Sequence, residues 1–235
     1  MKDYFYDLHL HSCLSPCGGD DVSPADLAGI CALAGYQIVA LTDHNTVGNC
    51  TAFCKAAEHY GFLAVPGMEL TTAEEVHVVC LFPDLEQAKN FGAYVRNHLP
   101  TVQNRPDFFG HQFFMDEEDH ILGEETALLM GATNIPYCTV NELVRSYGGA
   151  AFPAHIDHNS FSVCSNLGLW VPEAGFRIAE LSPTCPAGFT DRPDLAGVRF
   201  ITNSDAHYLH ELPDPRHIIS LPELTAQAVI DFLRR

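Results

Sequence analysis

Short apolar runs alternate with helix-like stretches along most of the chain. The first run, Tyr4-Phe5-Tyr6 continuing through Leu8 and Leu10, has the character of a buried strand. Ser23 and Pro24 then read as an N-cap and first helical residue, opening a helix that runs to about Ala34 and stops at Gly35. Residues 36–42 are almost continuously apolar, the pattern of a parallel strand covered on both faces. A helix from about Cys50 to His59 ends at Gly61, and strands follow at 62–69 and 75–82, then a helix over 85–96. The alternation resumes with a helix at 139–147, for which Thr139 and Glu142 suggest a capping box. Strands at 150–155, 178–181 and 200–205 come next. A closing amphipathic helix spans about 224–233, with Thr225 and Asp231 on its wet side.

Between about residues 99 and 137 the rhythm breaks. That stretch holds Asn104-Arg105-Pro106, the acidic cluster Asp116-Glu117-Glu118-Asp119 and a helix-like piece at 124–130, and it reads as an insertion or lid. Strands alternating with helices at short spacing imply an α/β fold with a mainly parallel sheet. About seven such units within 235 residues suggest one domain, 1–235, closed as a barrel, with functional groups at the carboxyl ends of the strands.

Metal-ligand residue types stand near the ends of these strands: His9 and His11, Asp43 and His44, Glu69, His77, His155, then Asp205 and His207. In an extended segment His9 and His11 point to one face. Taken singly, each has an ordinary structural explanation, a core histidine or a turn cap, and 13 histidines make a chance His-x-His easy. The recurrence at strand ends carries the inference.

The chain has 12 basic and 30 acidic residues, a formal charge of −18. Such a surface repels a nucleic-acid backbone, so the charge disfavours a duplex partner but leaves room for a small phosphorylated substrate once cations bind. The nine cysteines are odd in number and contain no Cys-x-x-Cys, which argues against a disulfide framework and for a reducing, cytoplasmic setting. No signal peptide or membrane span is evident.

In order and spacing, His9-Leu10-His11, Thr42-Asp43-His44, Gly67-Met68-Glu69, His77, Ala154-His155 and Ser204-Asp205-Ala206-His207 resemble the PHP (polymerase and histidinol phosphatase) family of metal-dependent phosphoesterases. The resemblance implies a distorted (β/α)7 barrel with an inserted segment, holding two or three divalent ions (zinc, manganese or iron). It implies one ion on His9, His11, Glu69 and Asp205, and a second on Glu69, His77 and His155. A third would sit on His44 and His207 with help from the loop after the first strand. That loop departs from the family pattern, with Pro16 and Cys17 where Asp or His is common. Among Cys17, Asp20 and Asp21, Asp20 is preferred, as a carboxylate suits a hard cation.

The implied chemistry is hydrolysis of a phosphate ester, a monoester before a diester, of a small metabolite or nucleotide. The ions acidify a water and polarise the phosphoryl oxygens. Asp43, His207 and His158 are candidates for the proton donor, Asp43 also for orienting His44, and His158 also reads as a plain loop histidine. Arg105, Arg177 and Arg192 are the available phosphate clamps. Two other readings stand beside this one. A metal-dependent amidohydrolase also opens with His-x-His, although Lys2, Lys55 and Lys89 lie at no predicted strand end. A metal-binding module without turnover is the other.

Overall fold

The computed structural model describes residues 1–235. In chain order the elements are β1 (Lys2–Asp7), α1 (Pro24–Ala34), β2 (Ile38–Leu41), α2 (Cys50–Tyr60), β3 (Leu63–Thr71), β4 (His77–Leu81), α3 (Leu85–Arg96), α4 (Pro106–Phe109), β5 (Phe113–Met115) and β6 (Ile121–Glu124). They continue as α5 (Tyr137–Ser146), β7 (Ala150–Pro153), α6 (Val163–Asn166), β8 (Ile178–Leu181), β9 (Arg199–Thr202), β10 (Ile218–Leu221) and α7 (Ala226–Arg234). Local signals set several boundaries. Ser23 Oγ accepts from Asp26 N and starts α1, and Gly35, in the left-handed region at φ 96°, ends it.

Six strands form one curled mixed sheet in the order β10-β1-β2-β3-β4-β7, and β8 and β9 form a separate parallel pair. β1, β2 and β3 run parallel, whereas β4 is antiparallel to both β3 and β7, and β10 is antiparallel to β1. The expected architecture therefore holds as a mixed α/β fold, without an uninterrupted ladder of seven parallel β/α units. The two sheets meet at side chains and at single bridges, such as Leu10 with Ala206.

Alternate residues of each strand serve two cores. On β2, Ile38 and Ala40 join an inner cluster with Val65, Val79, Leu81, Phe152 and α7. Val39 and Leu41 face the outer cluster, against Cys31 and Phe53 on the helices. This double burial explains the continuous apolar run at 36–42.

Two expected helical features differ. No helix covers 124–130. Gln112, fully buried, donates to the carbonyls of Glu125 and Ala127 and accepts from Leu129 N, so that a side chain satisfies backbone groups a helix would otherwise pair. α5 begins at Tyr137 rather than Thr139, because Glu74 Oε2 accepts the Tyr137 N–H from a distant turn. Thr139 Oγ1 donates to Pro136 O instead of forming a capping box. No helix is long and apolar enough to cross a membrane.

The 99–137 segment contributes α4 and the β5–β6 hairpin, which packs on the loop after β1. Asn49 ties the hairpin down, donating through Nδ2 to Phe113 O and accepting from Met115 N.

Candidate metal centre

The inner rows of the sheets change from apolar to charged at one rim. On β3 the row Val65, Gly67 continues to Glu69; on β8, Ile178 continues to Glu180; after β9, Ile201 continues to Asn203 and Asp205. Strand periodicity thus lays a polar layer on top of the apolar ones. β4 reaches the same layer from the opposite direction: Leu81 and Val79 lie in the core and His77 opens the strand. His77 is therefore at a strand's start, not its end, and Glu69 lies within β3. An antiparallel strand presents its first residue where parallel neighbours present their last.

His9 and His11 lie beyond β1, which ends at Asp7, yet the backbone stays held. Leu10 O accepts from Thr42 N and Oγ1, and Ala206 O accepts from His11 N. The two rings converge with their Nε2 atoms 3.2 Å apart. His155 (φ 27°) and Asp205 (φ 54°) take left-handed backbone conformations, uncommon without glycine, as the chain turns out of β7 and β9.

Glu69, 1% exposed, is the hub. Its Oε1 lies 2.9 Å from His77 Nδ1, 3.2 Å from His155 Nε2 and 3.3 Å from His9 Nε2. Its Oε2 lies 2.9 Å from His44 Nδ1 and 3.5 Å from His11 Nε2. Asp205 Oδ1 is 3.2 Å from Nε2 of both His9 and His11. Three ligand groups result: His9, His11 and Asp205; His44, Glu69 and His77; and His11, His44 and His207.

The residues fit divalent ions on two grounds. The donor set is imidazole and carboxylate, suited to zinc, iron or manganese. Glu69 Oε2, Asp205 Oδ1 and His44 Nδ1 are also buried without a hydrogen-bond partner, which is costly unless a cation meets them. The electrostatics agree. Burial would raise Glu69, but His77, His9 and His44 hold it well below the usual carboxylate range. Burial would lower His9, and the surrounding Glu180, Asp205 and Glu69 carboxylates raise it well above 6.5. The buried carboxylates thus favour positive charge within the cluster, the role a bound cation fills.

Surrounding groups select the tautomers. Glu180 accepts from His9 Nδ1 at 3.0 and 3.1 Å, and Asp205 O accepts from His207 Nδ1 at 2.9 Å. Ser15 Oγ, whose proton goes to Asp43, accepts from His11 Nδ1. Each of these rings is left with an Nε2 lone pair. Glu180, Ser15 and Asn203 were missed by sequence reasoning. The available signal for Glu180 was a lone charge in the apolar strand Ile178-Ala179-Glu180-Leu181.

Other expected positions fall differently. Asp20 is exposed and belongs to none of the three groups, because its loop turns it outward; Asp21 is exposed too. Cys17 takes the place inside, its Sγ 3.1 Å from His44 Nε2. Burial would raise this thiol, but His44 and His207 outweigh it and lower it to about 6. Asp43 is buried among Ser12 N, Ser12 Oγ and Ser15 Oγ and makes no hydrogen bond to the His44 ring. It reaches His44 only through Ser15, which accepts from His44 N. His158 is exposed, its ring stacked on His155 at 4.5 Å. Of the candidate clamps, Arg192 is paired with Asp194, Arg105 lies over Phe108, and Arg177 stands at the opening end of β8 beside Asn141.

The curled sheet with a histidine- and carboxylate-lined rim defines a metal-binding α/β domain. Residues 7–145 match the PHP domain family, and the chain belongs to that family. No curated protein matches the chain in sequence. Among solved structures, the lesion-specific endonuclease Q of Pyrococcus furiosus is similar at 16% identity and TM-score 0.72, over 99% of this chain and 56% of that one. Endonuclease Q in complex with a 27-mer duplex substrate, an abasic lesion at its active site, is similar at 15% identity and TM-score 0.69, over 99% and 57%. A protein of Bifidobacterium adolescentis, described provisionally as a metal-dependent phosphoesterase, is similar at 17% identity and TM-score 0.56, over 97% and 94%. At these identities the likeness is one of fold, and this chain spans little more than half of the endonuclease Q chains. The expectation that a duplex partner is unlikely is nevertheless overturned, since a protein of this fold has been solved with a duplex substrate whose abasic lesion lies at the active site. Net charge describes the whole surface, whereas bound cations set the local field at a site.

Proposed function

We propose that the protein is a metal-dependent phosphoesterase whose active site is the cluster around Glu69. The carrying observation is that the three ligand groups share residues, with both Glu69 oxygens facing imidazoles. On this reading His9, His11, Glu69 and Asp205 hold one ion. Glu69, His77 and His155 hold a second, and His44 and His207 belong to a third. Bound divalent ions supply Lewis acidity toward a phosphoryl group and an acidified water.

The chain's own residues perform the rest. Glu180, Ser15 and the Asp205 carbonyl orient His9, His11 and His207, and Asp43 acts as a positioning residue behind Ser15. His158, beside His155 and open to solvent, is the group we assign to protonate the leaving oxygen. Its exposure lets it meet a substrate without giving up a ligand role, which His207 would have to do. We read the whole chain as one domain of the distorted-barrel type, with 99–137 as a cover that also braces the loop after β1. That bracing is supported by Phe113 N, which donates to Cys13 O, and by Asn49 Nδ2, which donates to both Ser12 Oγ and Phe113 O.

The substrate class we carry forward is a phosphate ester of a small metabolite or nucleotide. A phosphodiester within nucleic acid is a second reading, favoured by the fold shared with endonuclease Q. Hydrolysis of a chromogenic phosphomonoester, a chromogenic phosphodiester and a duplex oligonucleotide with one abasic site tests both, after loading with Mn²⁺ or Zn²⁺. Turnover abolished by His9→Ala supports the phosphoesterase, and the preferred ester selects the substrate class. A fully loaded protein inactive on all three would return the case to an amidohydrolase or a module without turnover.

A further inference from the structure

The loop that departs from the family pattern places a sulfur beside the third ligand group. The loop is pinned to the strand-end residues by its own backbone: Gly18 N donates to Ser15 O, and Gly19 N donates to His207 O at 3.2 Å. A Cβ on Gly18 would stand 3.1 Å from the same His207 carbonyl, so glycine permits this close approach. The turn aims Cys17 inward, and its Sγ lies 3.1 Å from His44 Nε2.

Every other hydrogen bond of a cysteine sulfur is longer, between 3.3 and 3.9 Å. Two ligands sharing a tetrahedral zinc, with sulfur at about 2.3 Å and nitrogen at about 2.0 Å, stand roughly 3.5 Å apart. The Cys17–His44 pair is thus within a few tenths of an ångström of a shared coordination sphere. Ligands converge at the same place: the ligand atoms of His11, His44 and His207 all lie within 4.8 Å of one another. The His44 side chain is 5% exposed, and its other nitrogen, Nδ1, faces Glu69 Oε2 at 2.9 Å, so the ring joins this position to the neighbouring one. His207 donates Nδ1–H to the Asp205 carbonyl, which leaves its Nε2 lone pair for an ion.

We propose that Cys17 Sγ, as thiolate, ligates the third ion together with His44 and His207, and that this position takes a thiophilic divalent cation, zinc or ferrous iron, in preference to manganese or magnesium. The inference rests on the metal centre proposed above and deepens it. The thiol proton leaves to solvent as the ion binds. A sulfur among imidazole ligands favours softer ions, whereas an aspartate in its place would favour harder ones.

Cobalt titration of the metal-free protein tests this without reference to turnover. Co²⁺ bound by imidazole and carboxylate gives visible ligand-field bands, and a thiolate ligand adds a near-ultraviolet charge-transfer band. The wild type is expected to show both. Cys17→Ser should lose the ultraviolet band and keep visible bands, with an unchanged circular dichroism spectrum. Cys17→Asp should shift competition between Zn²⁺ and Mn²⁺ at least about tenfold toward manganese. Visible bands without the ultraviolet band in the wild type, or an ultraviolet band surviving Cys17→Ser, would overturn the cysteine assignment alone. Absence of any cobalt binding would overturn the metal centre as well. Wild-type alkylation mapping gives a check that needs no variant. Zn²⁺ should protect Cys17 from iodoacetamide and chelation should expose it, while equal labelling in both states counts against the proposal.

Discussion

Glu180 receives the Nδ1–H of His9 on both carboxylate oxygens, at 3.0 and 3.1 Å, with each residue at most 1% exposed. The same oxygens accept from His155 N and Asn203 Nδ2, so the carboxylate is saturated with donors. In Glu180→Gln, one amide nitrogen must face a donor whichever way it is turned. We expect the variant to fold with the wild-type circular dichroism spectrum and to bind metal about 10–100-fold more weakly. Calorimetric titration checks this, and wild-type affinity would refute the orienting role.

Chelation should lower thermal stability, because ligands preorganised in the fold are scattered in the unfolded chain. A site held at hundredfold excess over its dissociation constant contributes about 2.7 kcal/mol. At about 2–4 °C per kcal/mol for a domain of this size, each ion lost should cost roughly 5–10 °C in Tm. Calorimetry with and without chelator measures it, and His9→Ala should show a smaller difference than the wild type.

His158→Asn should leave metal content unchanged and lower kcat about 10²–10⁴-fold on esters with poor leaving groups. An activated chromogenic ester, whose leaving group needs no proton, should be much less affected. Equal losses on both substrates would argue against a proton-donating role.

Gly67 lies two residues before Glu69, and a Cβ there would fall 2.5 Å from a Leu81 methyl and 2.6 Å from the Cys80 carbonyl oxygen. The Cys80 carbonyl belongs to the β4 backbone, which pairs with β3 and β7 and has no room to give. Gly67→Ala should therefore destabilise the protein by about 1–3 kcal/mol, read by urea unfolding as a lower midpoint at unchanged slope.

Asp194 accepts from Arg192 Nε and Nη2 and from Trp170 N, and the Arg192 bond chiefly holds its carboxyl at about 2. The folded-state pKa lies below the unfolded value, so the stabilisation is present above about pH 4 and fades as pH falls toward 2. The pair is partly exposed and screened by solvent, so the effect is at most about 1 kcal/mol. Asp194→Asn should flatten the stability curve between pH 4 and 2 relative to wild type, and parallel acid limbs would refute the assignment.

Sequence by itself determined the elements whose signals are local. Ser23, Pro24, Gly35 and Gly61 mark helix ends, the apolar run at 38–41 marks a strand covered on both faces, and 85–96 is a helix with the expected bounds. It also placed His9, His11, His44, Glu69, His77, His155, Asp205 and His207 among the candidates now gathered at one rim. Contacts distant along the chain decided the rest. The direction of β4 brings the start of that strand to the rim, and Glu74 and Gln112 override the local signals at α5 and 124–130. Glu180 reaches His9 across 171 residues, and the turn at Gly18-Gly19 puts Cys17 inside and leaves Asp20 in water. Caps and periodicity act over a few residues and can be read along the chain. Strand direction and the partner of a buried carboxylate depend on which segments meet, and only packing settles that.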